Sequence, residues 1–190
     1  SPLLLMLLLC PQAQGADVTG TVSAVEGGAQ KKLRARIKYA GPGINDRKDP
    51  DPSPAVLWIE GAPAAPAPAG KSEIRQEGLE FRPRVLAVTA GSTVSFPNGD
   101  NLTHNVFSYS KSKRFDLGRY AKGQTKEVVF DAKGLVDVRC EVHDHMRAAV
   151  HVFDHPYFAT ADAGGKFRIP GVPAGSFTMG STSSEGYSDE

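Results

Sequence analysis

Short runs in which apolar and polar residues alternate recur along this chain, and no long stretch repeats with a helical period. Asp17-Val-Thr-Gly-Thr-Val-Ser-Ala-Val25 alternates in strand fashion. Leu33-Arg-Ala-Arg-Ile-Lys-Tyr39 does the same, with Leu33, Ala35, Ile37 and Tyr39 on one face and Arg34, Arg36 and Lys38 on the other. That basic face, with Lys31 and Lys32 beside it, reads as the solvated side of a half-buried strand. After a turn-rich loop, Ala55-Val-Leu-Trp-Ile-Glu60 predicts a buried strand, and Pro63, Pro66 and Pro68 make residues 62–70 an extended connector.

From Ser72 the pattern becomes denser. It predicts strands at Ile74–Gln76, Arg84–Thr89, Thr93–Phe96, His104–Tyr109, Lys126–Phe130, Val136–Cys140 and Ala148–Phe153. Gly78, Ala90-Gly91, Pro97-Asn-Gly-Asp100, Gly118, Gly123 and Lys133-Gly134 separate them. Many short strands with turns at regular spacing imply an all-β chain built as a Greek-key β-sandwich, and the strands before residue 62 are expected to extend one of its sheets. Beyond His155, Lys166-Phe-Arg-Ile169 and Ser176-Phe-Thr-Met179 predict a short C-terminal β-hairpin. This segment resembles the opening of a carboxypeptidase-regulatory-like sandwich, and too few strands follow for an independent domain. Residues 181–190 are polar and expected to be disordered.

Composition changes the picture at two points. Lys+Arg 22 against Asp+Glu 21 leaves a net charge of +1, so whole-chain electrostatics offers nothing for a nucleic acid. The run Leu3–Leu9 is too short to span a bilayer, which takes roughly 20 apolar residues, and suits the core of a secretory signal. Ala13 and Gly15 then supply small residues for cleavage before Ala16, which makes 1–15 an incomplete signal peptide; lipid attachment at Cys10 is the alternative. The mature chain is expected to be exported, periplasmic in a bacterium, with no transmembrane segment. Export leaves Cys140 as the single thiol in an oxidising space, where it needs burial or a metal.

The chemistry gathers around that thiol. Cys140-Glu-Val-His143-Asp-His145-Met146 places a thiol, an imidazole and a thioether at i, i+3 and i+6 within one loop. With a second imidazole these are the donors of a blue-copper site, and His104, at the start of a strand-like run, is the candidate. A zinc site using His145 remains an alternative, as does a buried structural Cys. A Cys140–His143 nucleophilic pair lacks an orienting acid in the sequence and leaves Met146 unexplained. His151 alternates with Val150 and Val152 and belongs on the opposite strand face; His155 before Pro156 suits a capping or turn role.

Phe81-Arg-Pro-Arg-Val-Leu…Gly91-Ser-Thr-Val-Ser-Phe96-Pro-Asn98, His104-Asn105-Val106 and Cys140-x2-His143-x2-Met146 together resemble the cupredoxins, the type 1 blue-copper family of plastocyanin and amicyanin. The likeness covers about Ile74 to Phe153, its short ligand loop is of the amicyanin type, and the wider string is similar to plastocyanin-like methylamine utilization proteins. It implies one copper ion held by His104, Cys140, His143 and Met146, single-electron transfer rather than enzymatic turnover, a redox partner protein, and a monomer. It also implies that Asn105 ties the two ligand-bearing loops together beside the Cys sulfur, with Phe96 and Phe107 packed beneath the site. Asp144 and His145 depart from the Pro and apolar residue of amicyanin-type loops, which bears on partner choice. A non-redox copper-handling or zinc-structural module is the alternative. The expected organisation is therefore 1–15 signal, 16–71 N-terminal strands and connector, 72–155 copper domain, 156–180 partial regulatory-like segment and 181–190 tail.

Overall fold

The computed structural model describes residues 15–23, 34–38 and 55–183, and every regular element among them is a strand. In chain order they are β1 (Ala16–Ser23), β2 (Arg34–Lys38), β3 (Ala55–Glu60), β4 (Lys71–Glu73), β5 (Arg75–Gln76), β6 (Phe81–Arg82), β7 (Val85–Thr89) and β8 (Ser92–Pro97). Then come β9 (His104–Tyr109), β10 (Arg114–Tyr120), β11 (Thr125–Phe130), β12 (Gly134–Arg139), β13 (Arg147–Phe153), β14 (Phe158–Thr160), β15 (Lys166–Val172) and β16 (Thr178–Ser183). Residues 1–14 of the expected signal segment, Cys10 included, lie outside the described residues, as do 184–190 of the expected tail. Ser181–Ser183, placed in that tail by composition, instead complete β16.

One layer of the larger unit is a five-stranded sheet ordered β10-β9-β12-β13-β7; facing it are β11-β8-β4 and the β5-β6 pair. Alternation decides which residues enter the space between them. In β8, Ser92, Val94 and Phe96 are buried while Thr93, Ser95 and Pro97 are half-buried, the period-two signature of a strand with one apolar face. Ile74, Phe81, Val94, Phe96, Val106, Phe130, Val136, Val138 and Val150 meet in one core. Cys140 and Met146 belong to the same cluster, so the loop predicted to carry chemistry is anchored in the sandwich core.

The outer strands do not extend this sandwich, contrary to the sequence expectation. β1 pairs with β15 and β2, while β3 pairs with β14 and β16, giving two three-stranded sheets made from both ends of the chain. They enclose a second core of Val22, Leu57, Ile59, Phe167, Ile169 and Val172. The C-terminal hairpin is not formed either, since β15 and β16 lie in different sheets. The physical reason is burial: neither terminal segment has enough strands to cover its apolar face, and each supplies the cover the other lacks.

The two units meet through aromatic rings on the outer face of β13. Trp58 lies 5.3 Å from His151 and 5.8 Å from Phe153, and Phe158 stacks on Phe153 at 4.7 Å. His155 Nδ1 accepts the Tyr157 amide at 3.1 Å, the expected turn role. Burial pushes the His151 pKa down to about 4 and moves His155 downward too. The His151 ring is therefore neutral in the folded chain near pH 7. The unfolded chain binds more protons between about pH 6.5 and 4, so stability present above that window is lost as pH falls through it. Roughly 1–3 kcal/mol is expected from His151, the lower end reflecting its residual contact with water. Thermal melts at pH 7 and pH 4.5, followed by Trp58 fluorescence, should show this loss, and His151→Phe should remove most of it.

Candidate metal centre

Antiparallel pairing of β9 with β12, through Arg139 opposite Phe107, sets the start of β9 beside the end of β12. His104 is the first residue of β9, and Cys140 follows the last residue of β12. Two residues 36 positions apart are thereby neighbours at one end of the sheet, as β-pairing alone requires. The chain then turns within six residues: Met146 donates its amide to His143 O at 2.9 Å, and Cys140 donates its own to Met146 O at 3.3 Å. This closed loop returns into β13 with Met146 fully buried.

The ring nitrogens of His104 and His143 and the Cys140 sulfur all lie within 4.8 Å of one another. His104 Nδ1 and His143 Nδ1 face each other at 3.1 Å. Two nitrogens each about 2.0 Å from one ion can stand at most about 4 Å apart, so this separation suits a shared metal. His104 is fully buried and Cys140 nearly so, whereas His143 is half-buried and Val142, Asp144 and His145 around it are exposed. His145 is not part of the cluster; its Nδ1 is 3.9 Å from Asp144 Oδ1, and its ring is set edge-on to His143 at 6.1 Å.

A residue that the sequence reading passed over fixes the buried imidazole. Asp100 Oδ2 accepts the His104 Nε2 proton at 2.9 Å, which leaves Nδ1 with its lone pair toward His143 and Cys140. The same carboxylate accepts the amides of Gly78 at 2.7 Å and Leu79 at 2.9 Å. Leu79 has φ 62°, a left-handed conformation unfavourable for a branched side chain, and these bonds help hold it. Burial acts to raise the Asp100 pKa, but the bonds from Leu79, His104 and Gly78 outweigh it and hold the carboxyl below the usual range. Its position four residues before His104 was the available signal.

Asn105 bonds in two directions. Its Oδ1 accepts the Glu141 amide at 3.2 Å, next to Cys140, and its Nδ2 donates to Asp116 Oδ1 at 2.8 Å. It therefore ties the start of β9 to the Cys140 loop, with Asp116 holding the amide in place. Phe96 is fully buried in the core as expected. Phe107 is a correction: it lies on the outer sheet face, its ring tilted against that of Tyr109 with the centres 5.1 Å apart. The parity of β9 decides this, because His104, Val106 and Ser108 take the buried face and Phe107 must take the other.

Residues 68–153 match the family described as copper binding proteins, plastocyanin/azurin family. Amicyanin-alpha of Methylorubrum extorquens is 33% identical over 89 residues, which cover 45% of this chain and 75% of that protein. The chain belongs to the plastocyanin/azurin family of copper-binding proteins. Among solved structures, amicyanin from Paracoccus versutus is 25% identical with a TM-score of 0.41, covering 51% of this chain and 97% of that one. A copper-containing nitrite reductase from Thermus scotoductus is 23% identical with a TM-score of 0.41, covering 47% of this chain and 23% of that one.

Copper is the cofactor of this cupredoxin chain, and the donor chemistry fits it. A soft sulfur and two imidazoles converge with no carboxylate among them, a set that suits copper and excludes magnesium or calcium. No helix among the described residues is long and apolar enough to cross a membrane.

Proposed function

We propose that the chain is an exported single-electron carrier whose one type 1 copper is held by His104, Cys140, His143 and Met146. The observation that carries this reading is the convergence of His104, Cys140 and His143 within 4.8 Å at the end of a buried sandwich. Bound copper supplies one-electron exchange between Cu(II) and Cu(I). Everything else is done by the chain. Cys140 would hold copper as a thiolate, His104 and His143 would add imidazole nitrogens, and Met146, in the same buried cluster as Cys140, would add a weakly bound thioether sulfur. Asp100 orients one imidazole and Asn105 joins the two loops, so the donors keep one arrangement in both redox states.

Core residues shield the site on the protein side, while half-buried His143 reaches the surface among Val142, Asp144 and His145. That end is where a redox partner protein would approach. The role is that of a carrier and not of a catalyst, since no substrate chemistry is needed to account for any of these groups. Export is supported by the apolar run Leu3–Leu9, whose length suits a secretory signal. The reading takes the chain as a monomer.

Voltammetry of the copper-loaded protein tests the reading. A reversible one-electron wave is expected. Tight copper binding with no reversible wave would select a copper-handling module instead.

A further inference from the structure

The outer face of the five-stranded sheet is covered over only part of its width. Trp58 and Phe158 of the second unit pack on His151 and Phe153 of β13. Among the described residues nothing packs over the β9 and β12 half, where Tyr109 is 67% and Leu135 46% exposed. Strand register sets what shares this open half: Arg114 lies opposite Tyr109, and Phe107 has Asp116 on one side and Arg139 on the other. The Phe107 and Tyr109 rings are 5.1 Å apart, and the Arg114 guanidinium sits 5.5 Å from the Tyr109 ring centre.

The carboxylates near this face are engaged within the chain. Asp116 Oδ1 accepts from Asn105 and Gly118, Asp137 pairs with Arg139, and Asp131 pairs with Lys113. Lys111 and Arg114 have no carboxylate partner among the described residues. An exposed tyrosine flanked by an arginine is the composition of an interface anchor, and the uncommitted charges are positive. Two such cations fall short of the four to eight clustered Lys/Arg that hold a protein on anionic lipid. The flat aromatic surface suits a protein partner better. One edge of the face adjoins the metal centre, because Arg139, the cross-strand neighbour of Phe107, immediately precedes Cys140; Tyr109 itself lies five residues along β9 from His104, roughly 16 Å at ~3.3 Å per residue.

We propose that this open half-face, centred on Tyr109, is a lateral docking surface for a redox protein that presents carboxylates. The proposal rests on the electron-transfer reading of the copper site. One electron passes between the partner's one-electron centre and the Cu(II)/Cu(I) couple, one side gaining what the other loses, and no bond is made or broken. The route lies beside the exposed His143 end and is separate from it.

The test is titration of the full chain, metal-free and Cu(I)-loaded, with a synthetic Asp/Glu-rich peptide, followed by amide NMR shifts at low and high salt. Shifts concentrated at Phe107, Tyr109, Lys111, Arg114, Leu135 and Arg139, and fading with salt, are expected. Tyr109→Ala combined with Arg114→Glu should weaken binding about fivefold or more, while Arg75→Glu on another surface changes it less than about twofold. The copper absorption of the double variant should be unchanged, which shows that its fold is intact. Shifts spread evenly over surface cations, or confined to residues 141–145, would overturn the proposal, as would binding to phosphatidylserine vesicles but not to the peptide. Peptide binding at Tyr109 in a chain that gives no redox wave would overturn the electron-transfer reading while supporting the surface.

Discussion

Cys140→Ser is expected to abolish the intense thiolate-to-copper absorption of the loaded protein completely and to weaken copper binding by more than about 100-fold, beyond the range reached by outer residues. The sulfur is the only soft anionic donor in the cluster. A serine hydroxyl is nearly the same size but is a hard oxygen with a far higher affinity for its proton, so it does not replace a thiolate. The side chain is 3% exposed and shares the sandwich core with Val138, Met146 and Ala148. Serine adds little bulk there, so the fold should survive with a small loss of stability. Far-ultraviolet circular dichroism should match the parent chain while the visible band is gone. A variant that keeps the band would show that Cys140 is not the ligand.

Asp100→Ala should weaken copper binding by about 10–100-fold while leaving all four proposed ligands in place. Three bonds are lost at once: from His104 Nε2, from the Gly78 amide and from the Leu79 amide. Without the first, His104 can place its proton on Nδ1 and turn it toward the metal. Without the other two, the left-handed turn at Leu79 loses the groups that stabilise it, and about 1–3 kcal/mol of stability should go with them. Asp100→Asn separates these effects, because an amide oxygen still accepts one bond and the negative charge is removed. Competition titration with a copper chelator reads the affinity, and urea denaturation of the metal-free chain reads the stability. Equal copper affinity in parent and Asp100→Ala would show that the His104 orientation is set elsewhere.

Much of this could be read from the residues because the proposed copper loop is local. Cys140, His143 and Met146 fall within seven residues, and a strand start at His104 needs only the period-two rule to be placed. The elements that escaped were those whose cause is not local. β10 was passed over because a register shift between Asp116 and Arg119, with Gly118 at φ 62°, breaks its alternation. Asp100 was missed because its role depends on where a loop brings Gly78 and Leu79. The pairing of β1 with β15 joins residues some 150 positions apart, and alternation reveals a strand without naming its neighbour. Phe107 shows the opposite case: the parity of β9 already placed it outside, and only the likeness to the family suggested otherwise.

The described residues of the second unit leave the metal end of the sandwich free. Its aromatic contacts fall on His151 and Phe153, in the second half of β13, whereas Arg147 at the other end of that strand adjoins Met146. At roughly 3.3 Å per residue the two ends of β13 are separated by about 20 Å. A discontinuous β-unit can therefore be carried by this chain without obstructing approach to His143. Acid should act first on the aromatic contact between the units, through His151, and not on the core around Phe96.

Copper K-edge X-ray absorption of the Cu(II)-loaded full chain tests the central claim most directly, because it reports the atoms bound to the ion. One sulfur at short distance together with two imidazole nitrogens is the predicted shell. A shell made only of nitrogen and oxygen would contradict it.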